Sequence, residues 1–120
     1  MADQALSAAL SRPVSEVKAA LFKALGHPAR IRVLEVLSEG ERSVSDLQRL
    51  VGIESSHLSQ QLAVLRRAGL VNTRKEGASV FYAVADPLLV ELLMVAKRLL
   101  IVSLSRTEDL LADLRAGAEQ

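Results

Sequence analysis

Apolar residues recur at three- and four-residue steps through four stretches of the chain, then at every second residue through a fifth. The first helical stretch carries Val17, Ala20, Leu21, Ala24 and Leu25; Pro13 bars an earlier start, Ser15 is the expected N-cap and Gly26 ends it. Pro28 falls where the first turn of a second helix tolerates proline. Ile31, Leu34, Val36 and Leu37 give that helix a buried face, and Gly40 closes it. After a link at residues 42–44, Ser45 and Gln48 have the spacing of a capping box, Leu47 and Leu50 face inward, and Gly52 makes a turn. A fourth helix starts at Glu54 or Ser55 and sets Leu58, Leu62 and Leu65 along one stripe. It leaves Ser56, His57, Ser59, Gln60, Gln61 and Arg66 on its other faces and stops at Gly69. Residues 70–74 and 79–84 alternate apolar and polar side chains, most clearly at Val80, Tyr82 and Val84, with a turn over 75–78. Asp86 and Pro87, suited to the N-cap and the first helical position, open a last helix.

This order predicts a mainly α fold with a small β-hairpin: a helix-turn-helix followed by a wing, the unit that fits one helix into the major groove of DNA. The expected layout is an N-terminal arm at residues 1–14, a winged helix-turn-helix and dimerisation domain at 15–114, and a tail at 115–120. In the last helix, residues 88–102 carry only Glu91, Lys97 and Arg98 as charges. That run is too short and too charged for a membrane span. A helix apolar on nearly all sides must bury two faces, so one is expected against its own domain and the other against a second copy of the chain.

The 120-residue length fits one domain with one core. Phe22, Phe81 and Tyr82 are the only aromatic residues, so that core is aliphatic. No charged start followed by an apolar run marks a signal peptide, and a cytoplasmic location is expected. The chain has no cysteine, which excludes disulfides, thiolate metal sites, thiol redox sensing and a cysteine nucleophile. It also lacks a phosphate-cradling glycine loop, and neither histidine sits in a metal or nucleophile motif, so neither enzyme chemistry nor a cofactor is expected.

Net charge is only +1, but its distribution is uneven. Between residues 55 and 75 the charged residues are Arg66, Arg67, Arg74 and Lys75, with no acid among them. A locally basic face of this kind suits phosphate contact, and a solvated charged face is its bland counterpart. A groove-reading helix needs an apolar stripe to fix it and short polar side chains to reach base edges. His57, Gln60 and Gln61, flanked by Ser55, Ser56 and Ser59, supply that set. Arg66 and Arg67 follow at the other end of the helix, and Arg74, Lys75 and Ser79 lie on the hairpin where a wing meets backbone or minor groove. Taken singly, each feature has a plainer explanation: a solvent-facing polar helix, a hairpin that only closes the core, a His27 that caps or packs, a His57 that lies on the surface. Order and spacing together favour DNA.

The segments LGHPARIRVLEVL and SHLSQQLAVLRRAGLV and the hairpin ending VFYAV resemble the ArsR-type winged-helix repressors of bacteria, over about residues 17–100. The resemblance implies a homodimer with helix order α-α-α-α-β-β-α, paired through the first and last helices. It makes residues 55–61 the recognition helix and residues 74–79 the wing. Val17, Leu21, Leu89, Leu92, Leu93, Ala96 and Leu100 are the interface positions this implies. The cysteine motif of the family's metal sensors falls on VSDLQRL, which has no thiol, and the last helix has no histidine, so no metal site is assigned. The chain is similar to cysteine-free actinobacterial members. The expected function is therefore a repressor binding a palindromic double-stranded DNA operator as a homodimer, with no membrane partner and its effector left open. The alternatives are a nickel- or other metal-linked regulator using His27 with oxygen ligands, and a protein-interaction module that kept the fold without DNA binding.

Overall fold

The computed structural model describes residues 12–118, so most of the expected N-terminal arm, at residues 1–11, lies outside the described residues. Among the described residues, five helices and a three-stranded antiparallel sheet follow one another as α1 (Val14–Leu25), α2 (Pro28–Leu37), β1 (Arg42–Ser43), α3 (Val44–Val51), α4 (Ser55–Arg67), β2 (Val71–Glu76), β3 (Ser79–Val84) and α5 (Pro87–Ala118). They fall into two compact units that divide at Pro87 within the single domain expected from the sequence.

The core of the first unit is aliphatic. Leu25 from α1, Val33, Leu34 and Leu37 from α2, Leu47 and Val51 from α3, and Leu58, Leu62 and Leu65 from α4 are all buried, as is Val71 of β2. The stripe of α4 is the one its spacing predicts. In α3 the buried partner of Leu47 is Val51, four residues on, and not Leu50, which is 37% exposed.

Helix starts differ from expectation in two places. Helix α1 begins at Val14, with Pro13 ahead of it and no side-chain cap, so Ser15 lies inside the first turn. Helix α3 begins one residue before Ser45: the Oγ of Ser43 accepts the Asp46 N–H at 3.1 Å, and Ser43 is the cap. Both serines offer the same oxygen, but Ser43 holds the extended backbone that a cap requires because it ends strand β1. In α2 the cap is His27, whose Nδ1 accepts the Ala29 N–H at 3.1 Å beside Pro28.

Glycine governs the exit from α4. Gly69 adopts φ +73°, and the N–H groups of Leu70 and Gly69 donate to the carbonyls of Leu65 and Arg66. This is the paired arrangement of a left-handed helix stop, and it turns the chain directly into β2. The wing then folds in the order β1-β3-β2, with Val71 opposite Val84, Arg74 opposite Phe81 and Glu76 opposite Ser79. The connecting loop is Gly77-Ala78 alone, shorter than the expected 75–78, with Gly77 at φ +60° supplying the twist that two-residue hairpins need. Strand β1, read from the sequence as a link, pairs Arg42 with Tyr82 and Ser43 with Phe81.

Helix α5 is 32 residues long, about 48 Å at 1.5 Å per residue, and runs through the expected tail to Ala118. Leu89 is buried, while Met94, Val95, Leu99, Leu100, Ile101 and Leu104 are all exposed. No helix among the described residues is long and apolar enough to cross a membrane.

The cap assignment is open to test. Replacing Ser43 with Ala should lower the free energy of unfolding by about 1 kcal/mol in a denaturant titration, while Ser45→Ala should change it by only a few tenths. A loss at Ser45→Ala larger than that at Ser43→Ala would make Ser45 the cap.

Candidate nucleic-acid interface

Burying Leu58, Leu62 and Leu65 determines which way every other side chain of α4 points, since the helix repeats every 3.6 residues. Ser55, Ser56, Ser59, Gln60, Arg66 and Arg67 emerge on the exposed side. His57 is half-buried, its ring edge-on to that of His27 at 5.9 Å between centroids and 77° between planes. Gln61 is not on the exposed side. It is only 7% exposed, and its Oε1 has no hydrogen-bond partner among the described residues. The reason is geometric: position 61 lies three residues after Leu58 and four before Leu65, within the stripe that packs inward. The expectation that Gln61 reaches a base edge is corrected accordingly.

Two features of α4 suit a polyanion. Glu54 precedes its first turn with no side-chain cap bond, and that turn carries no acid. The free N–H groups and the positive end of the helix dipole therefore face outward. Arg66 and Arg67 close the last turn, and neither makes an ion pair among the described residues. Beside α4 runs an open groove of about 540 Å³, lined by Ser59, Leu62, Ala63, Arg66 and Arg67 of α4 with Val44 of α3 and Tyr82 of β3. Val44 and Tyr82 escaped the sequence reading because strand pairing and helix packing, not local pattern, bring them there.

The wing places its charges differently. Lys75 and Ser79 are exposed near the hairpin tip, and Lys75 has no ion pair among the described residues. Arg74 is exposed but engaged. Its Nε and Nη2 donate to the two carboxylate oxygens of Glu41 at 3.3 and 2.7 Å, and its Nη1 donates to Glu76 at 2.8 Å. Its guanidinium lies 4.6 Å from the centre of the Phe81 ring. Through this bonding the Arg74 guanidinium holds the Glu41 carboxyl below its usual range, and the two carboxylates raise the Arg74 pKa further. Glu41 had no sequence signal, because 33 residues separate it from its partner.

Of the expected interface positions, Val17 and Leu21 on α1 are half-buried, as are Leu92 and Leu93 on α5, while Ala96 and Leu100 are exposed. Leu89 is already covered in a single copy and has little left to offer a second. Phe22 of α1, not singled out from the sequence, is 58% exposed. His27 uses Nδ1 as a helix cap, which removes that nitrogen from metal ligation.

Known proteins are similar to this chain in sequence and fold. The model of the bacterial regulatory proteins of the arsR family matches residues 27–73, the span from the α2 cap into the wing. The HTH-type transcriptional regulator Rv0081 of Mycobacterium tuberculosis is 53% identical over 108 residues, 89% of this chain and 95% of that protein. Its crystal structure superposes with a TM-score of 0.74 at 52% identity, covering 79% of this chain and 96% of that one. A biofilm growth-associated repressor of Agrobacterium fabrum is 45% identical over 65% of this chain and 66% of its own length. The homodimeric winged helix-turn-helix DNA-binding domain Mb0332 of Mycobacterium bovis, solved as a fragment, has a TM-score of 0.65 at 28% identity, covering 72% of this chain and 80% of that one.

The Glu41 contact makes a prediction about pH. A carboxylate depressed in the folded state contributes stability that is present above its ordinary unfolded value, about 4.3, and is lost as pH falls through the lower folded value. Following Glu41 by NMR, Arg74→Gln should move its titration midpoint upward toward the ordinary value. An unmoved midpoint would show that the pair does not form in solution.

Proposed function

Since the chain belongs to the arsR family of bacterial regulatory proteins, we propose that it represses transcription as a homodimer, seating the two copies of α4 in successive major grooves of an imperfectly palindromic operator. The observation that carries this reading is the exposed face of α4. It is free of acid, polar and short-chained at its N-terminal end, and basic and without an ion pair among the described residues at its C-terminal end.

Within that face the roles divide by reach. Gln60 presents an amide suited to the paired donor and acceptor of adenine, while Ser55, Ser56 and Ser59 give permissive contacts at the helix entry. Arg66 and Arg67, with Lys75 and Ser79 from the wing, meet phosphate and set register without reading sequence. Dimerisation supplies the symmetry. The exposed leucines of α5 and the exposed Phe22 of α1 are the apolar surfaces that a second copy covers; the similar Mb0332 domain is homodimeric.

Two measurements test this. Selection of bound sequences from a random duplex library should yield an inverted repeat. Gln60→Ala should relax one position in each half-site, costing roughly 1–3 kcal/mol against the preferred base; Gln61→Ala should leave the preference unchanged. A library that shows no enrichment would rule out sequence-specific binding. Separately, Leu100→Asp should give a folded monomer by light scattering and circular dichroism, because Leu100 is exposed in the single chain and is covered only in the pair. A variant that stays dimeric would move the interface elsewhere.

A further inference from the structure

Arg74 touches, or reaches beside, every strand of the sheet. It stands on the outer strand β2, lies against Phe81 of the central strand β3, and ends on Glu41, the residue immediately before β1. β1 is only two residues long, so its own ladder with β3 is a short hold. The contact with Glu41 is two-pronged, with one carboxylate gripping Nε and Nη2 together, and Glu76 takes Nη1 from the other side. A lone exposed ion pair contributes little, but a fork-shaped pair with a second carboxylate and an aromatic face behind it is the geometry in which such contacts hold.

Charge decides what this group does at the DNA surface. One guanidinium between two carboxylates sums to a single negative charge, so a phosphate approaching Arg74 meets a net anion. Arg66, Arg67 and Lys75 face no such neutralisation among the described residues.

We propose that Arg74 is a positioning residue, a pin that fastens the outer strand of the wing across β3 to the edge of β1, and that it does not anchor phosphate. The half of this statement that concerns phosphate rests on the DNA-binding reading above; the half that concerns the wing does not. Four variants separate the possibilities: Arg74→Gln, Glu41→Ala, the two combined, and Arg66→Gln with Arg67→Gln as the control.

Amide hydrogen exchange without DNA should quicken by about two- to fivefold across residues 71–84 in Arg74→Gln and Glu41→Ala alike, and the combined variant should be no faster than either. Binding to a mixed-sequence duplex, measured at several salt concentrations, should keep its salt slope in Arg74→Gln and lose slope in the Arg66/Arg67 control. Unchanged exchange in both single variants overturns the pin. A slope that flattens in Arg74→Gln overturns it too, because that is the mark of a phosphate anchor. If the control also keeps its slope, the DNA contact surface is at fault, and the exchange measurement still decides the wing.

Discussion

Everything on the outer surface of this domain depends on where the leucine stripe of α4 is buried. Leu58, Leu62 and Leu65 have almost no exposed surface, and they share the core with Leu34 of α2 and Leu47 of α3. A helix held along one stripe cannot rotate without lifting several leucines into water at roughly 1.5–3 kcal/mol each. Its opposite face is therefore set as firmly as its buried one. Ser56, Ser59, Gln60 and Arg66 are presented outward by the same packing that holds the domain together. The constraint acts without regard to polarity, which is why Gln61 goes inward with its oxygen unpaired among the described residues. The turn that ends the helix extends the effect, since the Leu70 N–H bonded to the Leu65 carbonyl leads the chain from a fixed helix into the first long strand of the wing.

The sequence was most legible where local periodicity and packing agree. The stripe of α4, the stops at Gly26, Gly52 and Gly69 and the hairpin alternation are all local patterns, and the structure follows them. Legibility failed where distant chain segments decide the outcome. β1 has two residues and no periodicity, and its existence depends on β3 lying alongside. Once β1 forms, it gives Ser43 the extended backbone of a cap, so one missed strand also misplaced the start of α3.

The candidate interface divides along the same line. The exposed members of α4 could be read from helical spacing alone, whereas Gln61 could not, because polar character and helical position gave opposite answers there. Arg74 stands in a stretch of sequence whose charges are all basic, residues 55–75. Its partner Glu41 lies in another part of the sequence, and no one-dimensional feature joins them. Charge patterning along a chain identifies which side chains are basic; only the folded sheet shows which of those charges are already neutralised.

Helix α5 has a consequence for how much active regulator a cell holds. Its leucines are exposed along most of its length, and in the proposed pair they are covered by a second copy. When assembly is what hides such a surface, folding and association are linked by mass action, and the concentration of competent regulator falls faster than the concentration of chain. Dilution at cell division, or slower synthesis, would then release an operator more steeply than the loss of protein alone suggests, giving a sensitivity to abundance that requires no bound signal.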